Sequence, residues 1–283
     1  MKALPFNIPK PQNDTLIYQE DHEYIFYDKL HQHEEIQISY IAKGEGTLVV
    51  GDTVSDYKEG DIILIGSNLP HVFRSDASSE HKSLMLSLFF GKKSFGDHFF
   101  ELTEFASLQS IFEKSIYGIK VESNKGSLKK LFVRLKTSTK IERFITLLEI
   151  LRLISISNTK QLSSFVYQKS YSDSHGKRMS AIFEYTMNHY SETIDLTTIA
   201  DIANMTPNAF CKYFKQRTNK TYVQFLSEVR IENAYKFLLK HKEMPIEEVA
   251  LLAGFTSISN FNRKFKRIKN ATPSEFRKLS ISH

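Results

Sequence analysis

The last third of the chain states one pattern twice, and this duplication constrains the fold more than any other feature of the 283 residues. Ile199-Ala-Asp-Ile-Ala-Asn-Met-Thr206 aligns with Val249-Ala-Leu-Leu-Ala-Gly-Phe-Thr256, so that Ala200 matches Ala250 and Ala203 matches Ala253. Beyond the turn one inserted residue moves the offset from fifty to fifty-one, pairing Phe210 with Phe261, Phe214 with Phe265, Asn219 with Asn270 and Thr221 with Thr272. Solenoids stack three or more copies. Two copies of a helical unit ask for a different explanation.

Each copy predicts a short helix carrying small alanines, a tight turn, and a second helix with phenylalanines at i and i+4. Gly254 supplies the turn residue in the second copy, where a close helical corner needs positive φ, and Asn204, the next most tolerant type, supplies it in the first. Thr206-Pro207 and Thr256-Ser257 then offer hydroxyl N-caps, with proline at the first helical position of the first copy. Between the copies, Tyr222 to Lys240 reads as one helix with Ile231, Ala234 and Leu238 on one face. Its length of roughly 27 Å is near the roughly 34 Å between successive major grooves on one face of B-DNA. Pro245 then opens the second unit.

Charge follows the repeat. From Lys177 to the end there are 17 Lys and Arg against 10 Asp and Glu, so this third carries about +7 while the remainder is close to neutral. The peak is Arg263-Lys264-Phe265-Lys266-Arg267-Ile268-Lys269. A basic run on a helix is usually a solvated face and nothing more. Here it coincides with two matched turns, two matched caps and open helical faces bearing Asn208, Cys211, Lys212 and Lys215 in one copy and Ile258, Ser259, Asn262, Arg263 and Lys266 in the other. Asparagine, lysine and arginine on such faces suit base edges and phosphates.

Residues of about 178–280 resemble the DNA-binding domain of the AraC/XylS family of transcription regulators. The matching stretches are Leu196-Thr-Thr-Ile-Ala-Asp-Ile-Ala in the first unit, and Ile246-Glu-Glu-Val-Ala-Leu-Leu-Ala-Gly-Phe, Phe261-Asn-Arg-Lys-Phe-Lys and Thr272-Pro-Ser-Glu-Phe-Arg277 in the second. The resemblance implies base-reading residues at Asn208, Cys211 and Lys212 and at Ile258, Ser259, Asn262 and Arg263, with double-stranded DNA as partner. It also implies RNA polymerase as a partner if the protein activates. Cys211, the single cysteine, excludes an intramolecular disulfide. It reads as a small filler on its helix, with a redox switch as the rival.

Residues 15–90 change texture. Ile36-Gln-Ile-Ser-Tyr-Ile alternates, Gly44 to Gly46 turns, Thr47 to Val50 resumes, Gly51-Asp52 and Gly60-Asp61 turn again, and Ile62 to Ile65 and Ser83 to Phe90 add further strands. Short strands with glycine turns predict a β-sandwich or barrel. His31-Gln-His33, Gln37, Gly60-Asp61 and Pro70-His71 resemble the small barrel called a cupin. Its metal-binding members use two histidines, a glutamate and a later histidine. Gln37 stands at the glutamate position, and a neutral amide is a poor ligand for a hard ion. A three-histidine site for zinc or iron stays open, as does its enzymatic consequence, a dioxygenase fused to a DNA-binding domain. The favoured expectation is a binding pocket with no metal and no cofactor, and no enzyme; the family resemblance implies a small organic effector, with His31, His33, His71, Arg74 and Tyr40 as its expected contacts. A regulator without effector, whose barrel serves assembly alone, is the third reading.

From Leu128 to Ile156 the spacing turns helical, with Leu128, Leu131, Phe132 and Leu135 on one face and Ile141, Phe144, Leu148 and Leu151 on another. The second helix is apolar nearly all round, which predicts several packing partners; the family resemblance implies a homodimer through helices at this place, so that one partner is expected to be the same helix of a second chain. Serines crowd Ser155 to Lys177 as in a linker, and the proline-rich Met1 to Asn13 reads as an arm or a frayed end. With no twenty-residue apolar run or signal peptide, the expected location is cytoplasmic, away from membranes. The expected fold is α+β: residues 1–157 as a cupin-like effector and dimerisation domain, with a barrel at about 15–95 and helices at about 100–157, then a linker at 158–177. An all-α domain follows at 178–283, with two helix-turn-helix units joined by a long helix.

Overall fold

The computed structural model describes residues 4–5, 14–76, 82–164 and 173–281. It divides into two compact units, Met1–Gly176 and Lys177–His283. The first is built on strands Leu4–Pro5 (β1), Leu16–Glu23 (β2), His31–Gln32 (β3), Ile36–Lys43 (β4), Gly46–Val50 (β5), Thr53–Tyr57 (β6), Ile62–Ile65 (β7), His71–Ser75 (β8), Ser83–Phe90 (β9), Ile119–Val121 (β10) and Thr159–Gln161 (β11). They form two sheets, in the orders β1-β3-β8-β5-β6 and β11-β10-β7-β4-β9-β2. Helices Gln109–Ser115 (α1), Lys125–Leu135 (α2) and Lys140–Ser155 (α3) follow. Gly44, Gly51 and Gly60 make their turns at positive φ, and the result is a cupin-like double sheet with helices on one side.

The central strand β4 explains how this layering arises. Successive side chains on a strand point to opposite faces. Ile36, Ile38 and Tyr40 join Leu86, Leu88 and Phe90 in an apolar layer that the helices cover with Leu128, Phe132, Leu147, Ile150 and Ile154. The alternate residues Gln37, Ser39 and Ile41 face the space between the sheets, where Ile41 packs with Phe26, Leu48, Phe73 and Met85. Alternation in this sequence therefore separates a helix-covered face from an inner face, and both are buried.

Helix α3 docks differently from the face read in the sequence. Leu147, Ile150, Leu151 and Ile154 are its buried apolar residues, whereas Ile141 and Ile145 are 64% and 49% exposed. Phe144 instead reaches the rings of Phe95 and Phe99 at 4.8 and 5.7 Å. Thr139 starts the helix with a capping box to Glu142.

The stretch read as linker from residue 158 needs correction. Thr159–Gln161 pairs antiparallel with β10, and the Leu162 and Ser163 amides donate to the Gly118 and Tyr117 carbonyls at 2.9 and 2.8 Å. Leu162 enters the inner core. The Ser163 hydroxyl and Ser164 amide donate to Oδ1 of buried Asp52 at 2.8 and 2.9 Å, and the Ser164 hydroxyl donates to its Oδ2 at 2.5 Å. These serines act as ligands of a buried carboxylate. Residues 165–172 and most of the expected N-terminal arm, 1–3 and 6–13, lie outside the described residues.

The second unit is helical: Asp173–His189 (α4), Leu196–Ile202 (α5), Pro207–Thr218 (α6), Tyr222–Lys240 (α7), Ile246–Leu252 (α8), Ile258–Lys269 (α9) and Pro273–Ile281 (α10). The repeat is structural to the level of its caps. Thr206 and Ser257 cap α6 and α9, and Asn219 and Asn270 end them in the left-handed conformation at φ 53° and 58°. Thr221 and Thr272 then accept from the amides of Gln224 and Glu275. The turns carry Asn204 at φ 51° and Gly254 at φ 86°.

The connecting helix α7 serves both copies. Near its start Tyr222 and Phe225 meet Phe210, Phe214 and Phe183 at ring separations of 4.6 to 5.6 Å. Further along, Ile231, Ala234 and Leu238 pack with Val249, Ala250, Phe261 and Phe265. Each fully buried phenylalanine is worth about 1.5–3 kcal/mol. An ion pair between Lys269 and Glu232 at 2.6 Å, both largely buried, ties the end of α9 to the same helix.

Candidate DNA-reading helices and effector cavity

The second helices of the two copies, α6 and α9, bury one face and expose the other. Phe210, Tyr213 and Phe214 are the buried aromatics of α6, and Phe261 and Phe265 those of α9. The residues read as DNA-facing in the sequence, Asn208, Cys211, Lys212 and Lys215 on α6 and Ile258, Ser259, Asn262, Arg263 and Lys266 on α9, are all exposed. No aspartate or glutamate interrupts either helix. Asn260, which the sequence did not single out, and Arg267, which stood there only as part of the basic run, are also exposed on α9. The Arg263 guanidinium donates to Asn260 Oδ1 at 3.1 Å, and the spacing of three residues on a helix signals that contact. Crowding by Arg267 and Arg263, added to the larger effect of partial burial, pushes the Lys264 ammonium below its ordinary pKa. Arg217, at the end of α6, lies over the Tyr213 ring at 5.5 Å.

Between the sheets of the first unit, His31 on β3, His71 opposite it on β8, and His33 bring their rings together at centroid distances of 4.3 to 6.0 Å. All three are buried. Each Nδ1 lies 2.8 to 2.9 Å from a backbone carbonyl: His31 from that of Lys29, His33 from that of Glu35 and His71 from that of Leu69. A carbonyl only accepts, so Nδ1 carries the proton and Nε2 presents a lone pair. Gln37 Oε1 is 3.1 Å from Nε2 of both His33 and His71, and the amide nitrogen is 2.8 Å from Ser39 Oγ, which meets Ser87 Oγ at 2.8 Å. Both rings are satisfied when the Gln37 amide turns its NH2 to the two Nε2 atoms and its oxygen accepts from the Ser39 hydroxyl. Burial pushes the His31 pKa down to about 3, outweighing the raising effect of the Lys29 carbonyl, with His33 lowering it further. Burial, then His31 and His33, hold His71 well below its ordinary value.

The three histidines are also the set whose ring nitrogens, within 4.8 Å of one another, could approach a common ion. The fourth group fails the fit. Gln37 brings no negative charge, and its amide closes the cluster by hydrogen bonding among neutral groups, with no ion required.

A cleft of about 400 Å3, counting its open mouth, adjoins this cluster and is lined by His31 and Gln37 together with Gln19, Asp21, Phe73 and Phe89, among others. Of the five residues read as effector contacts, His31 lines the cleft, and His33 and His71 stand behind it in the same network. Tyr40 does not belong there. Strand alternation sends it to the helix-covered face, 5.8 Å from the Phe132 ring. Arg74 alternates with Phe73 on β8 and so points away from the inner face. Among the missed residues are Gln19 and Asp21 on β2, which share the inner face with Ile17. That period of two was the available signal. Burial pushes the Asp21 carboxyl up, against the opposing hydrogen bond from Gln19 at 2.6 Å.

With this geometry in view, comparison with known proteins places both units. Residues 199–279 match a helix-turn-helix domain and residues 14–89 an AraC-like ligand binding domain. The uncharacterized HTH-type transcriptional regulator YdeC of Bacillus subtilis is 27% identical over 264 residues, covering 90% of this chain and 87% of that protein. The Msm operon regulatory protein of Streptococcus mutans is 21% identical over 250 residues, covering 85% and 83%. The bifunctional transcriptional activator and DNA repair enzyme AdaA of B. subtilis is 29% identical over 99 residues, 35% of this chain and 46% of that one. The chain belongs to the AraC family of transcription regulators. It is a DNA-binding regulator with an N-terminal, cupin-like ligand-binding domain.

Proposed function

We propose that this regulator reads one asymmetric DNA site of roughly two helical turns, with α6 and α9 as its two reading elements. The observation that carries this reading is the pair of acid-free open faces on helices fixed to opposite ends of α7. Arg263, Asn262 and Asn208 face base edges. Lys212, Lys215 and Lys266 face phosphates. Ile258, Ser259 and Cys211 supply close apolar or small contacts to the groove floor.

Residues through Ser164 form the part that binds the effector and assembles the protein, and the helices from α4 onward form the part that binds DNA. A small molecule occupies the cleft between the sheets, which the histidine cluster serves as a hydrogen-bonding wall. The protein catalyses no reaction and needs no metal or cofactor. A homodimer forms through the outward faces of α2 and α3, where Val133, Ile141, Ile145 and Ile156 are 49% to 65% exposed. Such a dimer reads two sites, and effector binding acts on whether both are reached together. No helix among the described residues is long and apolar enough to cross a membrane, and the single free cysteine suits a reducing cytoplasm. RNA polymerase is a partner where the regulator activates.

Footprinting of the full chain on fragments from its own genome tests the core of this reading. One protected stretch per protomer of about two turns is expected. Protection of a single turn, unchanged when α6 is altered by Lys212→Ala and Lys215→Ala together, rules out the two-element mode.

A further inference from the structure

The walls of the cleft between the sheets specify more than a generic small molecule. Asp21 is the sole side chain with a formal charge among the described residues that line it. Its carboxylate projects inward from β2 beside Met85, its register partner on β9. The Gln19 amide engages one of its two oxygens. No lysine or arginine is among the described residues that line the space. Aromatic rings make up much of the rest: Phe26, Tyr27, Phe73 and Phe89. Tyr27 packs edge-on against His31 at 5.1 Å, and His31 is held neutral in its surroundings.

These features discriminate between ligand classes. An anionic ligand would meet Asp21 with no cation to offset it, and neutral imidazoles do not attract a carboxylate. A polyhydroxylated ligand would set part of its hydroxyls against Phe26, Phe73 and Phe89, where they find no partner, and the amides of Gln19 and Gln37 are already engaged with Asp21 and with the histidine network. A cation gains from both parts of the wall. Its charge pairs with a carboxylate that is otherwise costly to hold half-buried, and its positive edge is attracted to the faces of the rings.

We propose that the effector is a small organic amine with a compact apolar body, bound with its ammonium at Asp21 and its body among the aromatic rings. This rests on the cleft being the effector site. The body lies between Phe26, Phe73 and Phe89, and Tyr27 closes over it from the loop that follows β2.

Three probes of nearly equal shape test the class on the full chain at neutral pH, by titration calorimetry and by the thermal midpoint. Phenethylamine is cationic, phenethyl alcohol neutral and phenylacetate anionic. The amine is expected to raise the midpoint and bind at least about tenfold more tightly than the alcohol, and the acid to have no effect. Asp21→Asn, which keeps the shape and the hydrogen bond to Gln19, is expected to bring the amine to within about twofold of the alcohol. Tyr27→Leu, at a partly exposed loop position, weakens the amine and leaves folding intact. Alcohol or acid binding as tightly as the amine overturns the amine assignment while leaving a ligand-binding cleft in place, as does an Asp21→Asn variant that keeps the preference. If none of the three binds, the assignment is also overturned. The broader effector reading falls with it only if a panel of sugars, carboxylic acids and neutral aromatics fails to stabilise the protein as well.

Discussion

Arg230 Nε lies 2.9 Å from the point where a Cβ on Gly254 would project, and the same nitrogen donates to the Tyr190 carbonyl at 2.7 Å. The guanidinium also donates to the Glu192 carbonyl through Nη2 and lies over the Phe255 ring. One side chain of α7 thus clamps the segment before the first helix-turn-helix unit and the turn of the second. Burial lowers its pKa, against the raising influence of Tyr222. The turn has room for it because residue 254 has no side chain.

Gly254→Ala is therefore expected to destabilise the second unit by about 2–4 kcal/mol, from left-handed backbone strain together with overpacking against the Tyr190 carbonyl. The matched change Asn204→Gly in the first copy is expected to stay within about 1 kcal/mol of the native chain, since the backbone there already holds positive φ. Urea unfolding of the two variants, compared at constant slope, checks the asymmetry. Equal losses would show that the clamp does not act through the turn.

Arg263→Ala is expected to cost about 1–3 kcal/mol on the cognate site and to relax preference at one base pair. Lys266→Ala is expected to weaken cognate and random DNA alike and to reduce the salt slope by about one. Binding titrations at several salt concentrations separate the two. A uniform loss for Arg263→Ala removes that residue from base reading.

Acid stability tests the histidine cluster. The folded pKa of His31 and of His71 lies below the unfolded value of about 6.5, so below that pH the unfolded chain binds more protons and folding weakens as pH falls. For His31 the loss accumulates from about pH 6.5 down to about 3. Asp21, whose pKa is raised by burial, acts with the opposite sign. The histidine variants, compared with the native chain, therefore isolate the contribution of the rings from about pH 7 to 5. Thermal midpoints of the first unit should fall across that interval, and a His31→Gln, His71→Gln double variant should flatten the curve. A native curve that is already flat rejects neutral, buried rings.

The exposed stripe on α3 gives a prediction about assembly. Ile141→Glu with Ile145→Glu should convert a dimer into a monomer at micromolar concentration, with little effect on thermal stability because neither residue is part of the core. Sedimentation velocity decides, and a variant that remains dimeric places the interface elsewhere.

Protein purified without a histidine tag should carry far less than one equivalent of iron or zinc, because Gln37 satisfies His33 and His71 by hydrogen bonding. Stoichiometric metal that is lost on His71→Ala would return the cluster to metal chemistry.

The DNA-binding unit was legible because repetition supplied an internal control. A cap or a turn seen once is weak, but Thr206 with Ser257, and Asn204 with Gly254, vouch for each other. The cleft was less legible. Its histidines stood out as a motif, yet Tyr40 looked like a pocket residue until the helices covering β4 were seen. Nothing local in Ile36-Gln-Ile-Ser-Tyr-Ile says which face meets helices. The β11 strand and the Asp52 anchor were hidden because serines that cap a buried carboxylate have the composition of a linker. The clamp by Arg230 was invisible for a related reason, since its partners lie 40 and 38 residues away along the chain.

The double burial of β4 has a consequence for errors of pairing. In a strand with one wet face, a slip of one residue exposes an apolar row and is opposed by that alone. Here a slip between β4 and β9 would drive Gln37 and Ser39 into the layer of leucines and phenylalanines beneath the helices, and Ile36 and Ile38 into the polar cluster around the histidines. Each displacement is costly by itself, so the frame that holds the effector cleft is proofread from both sides.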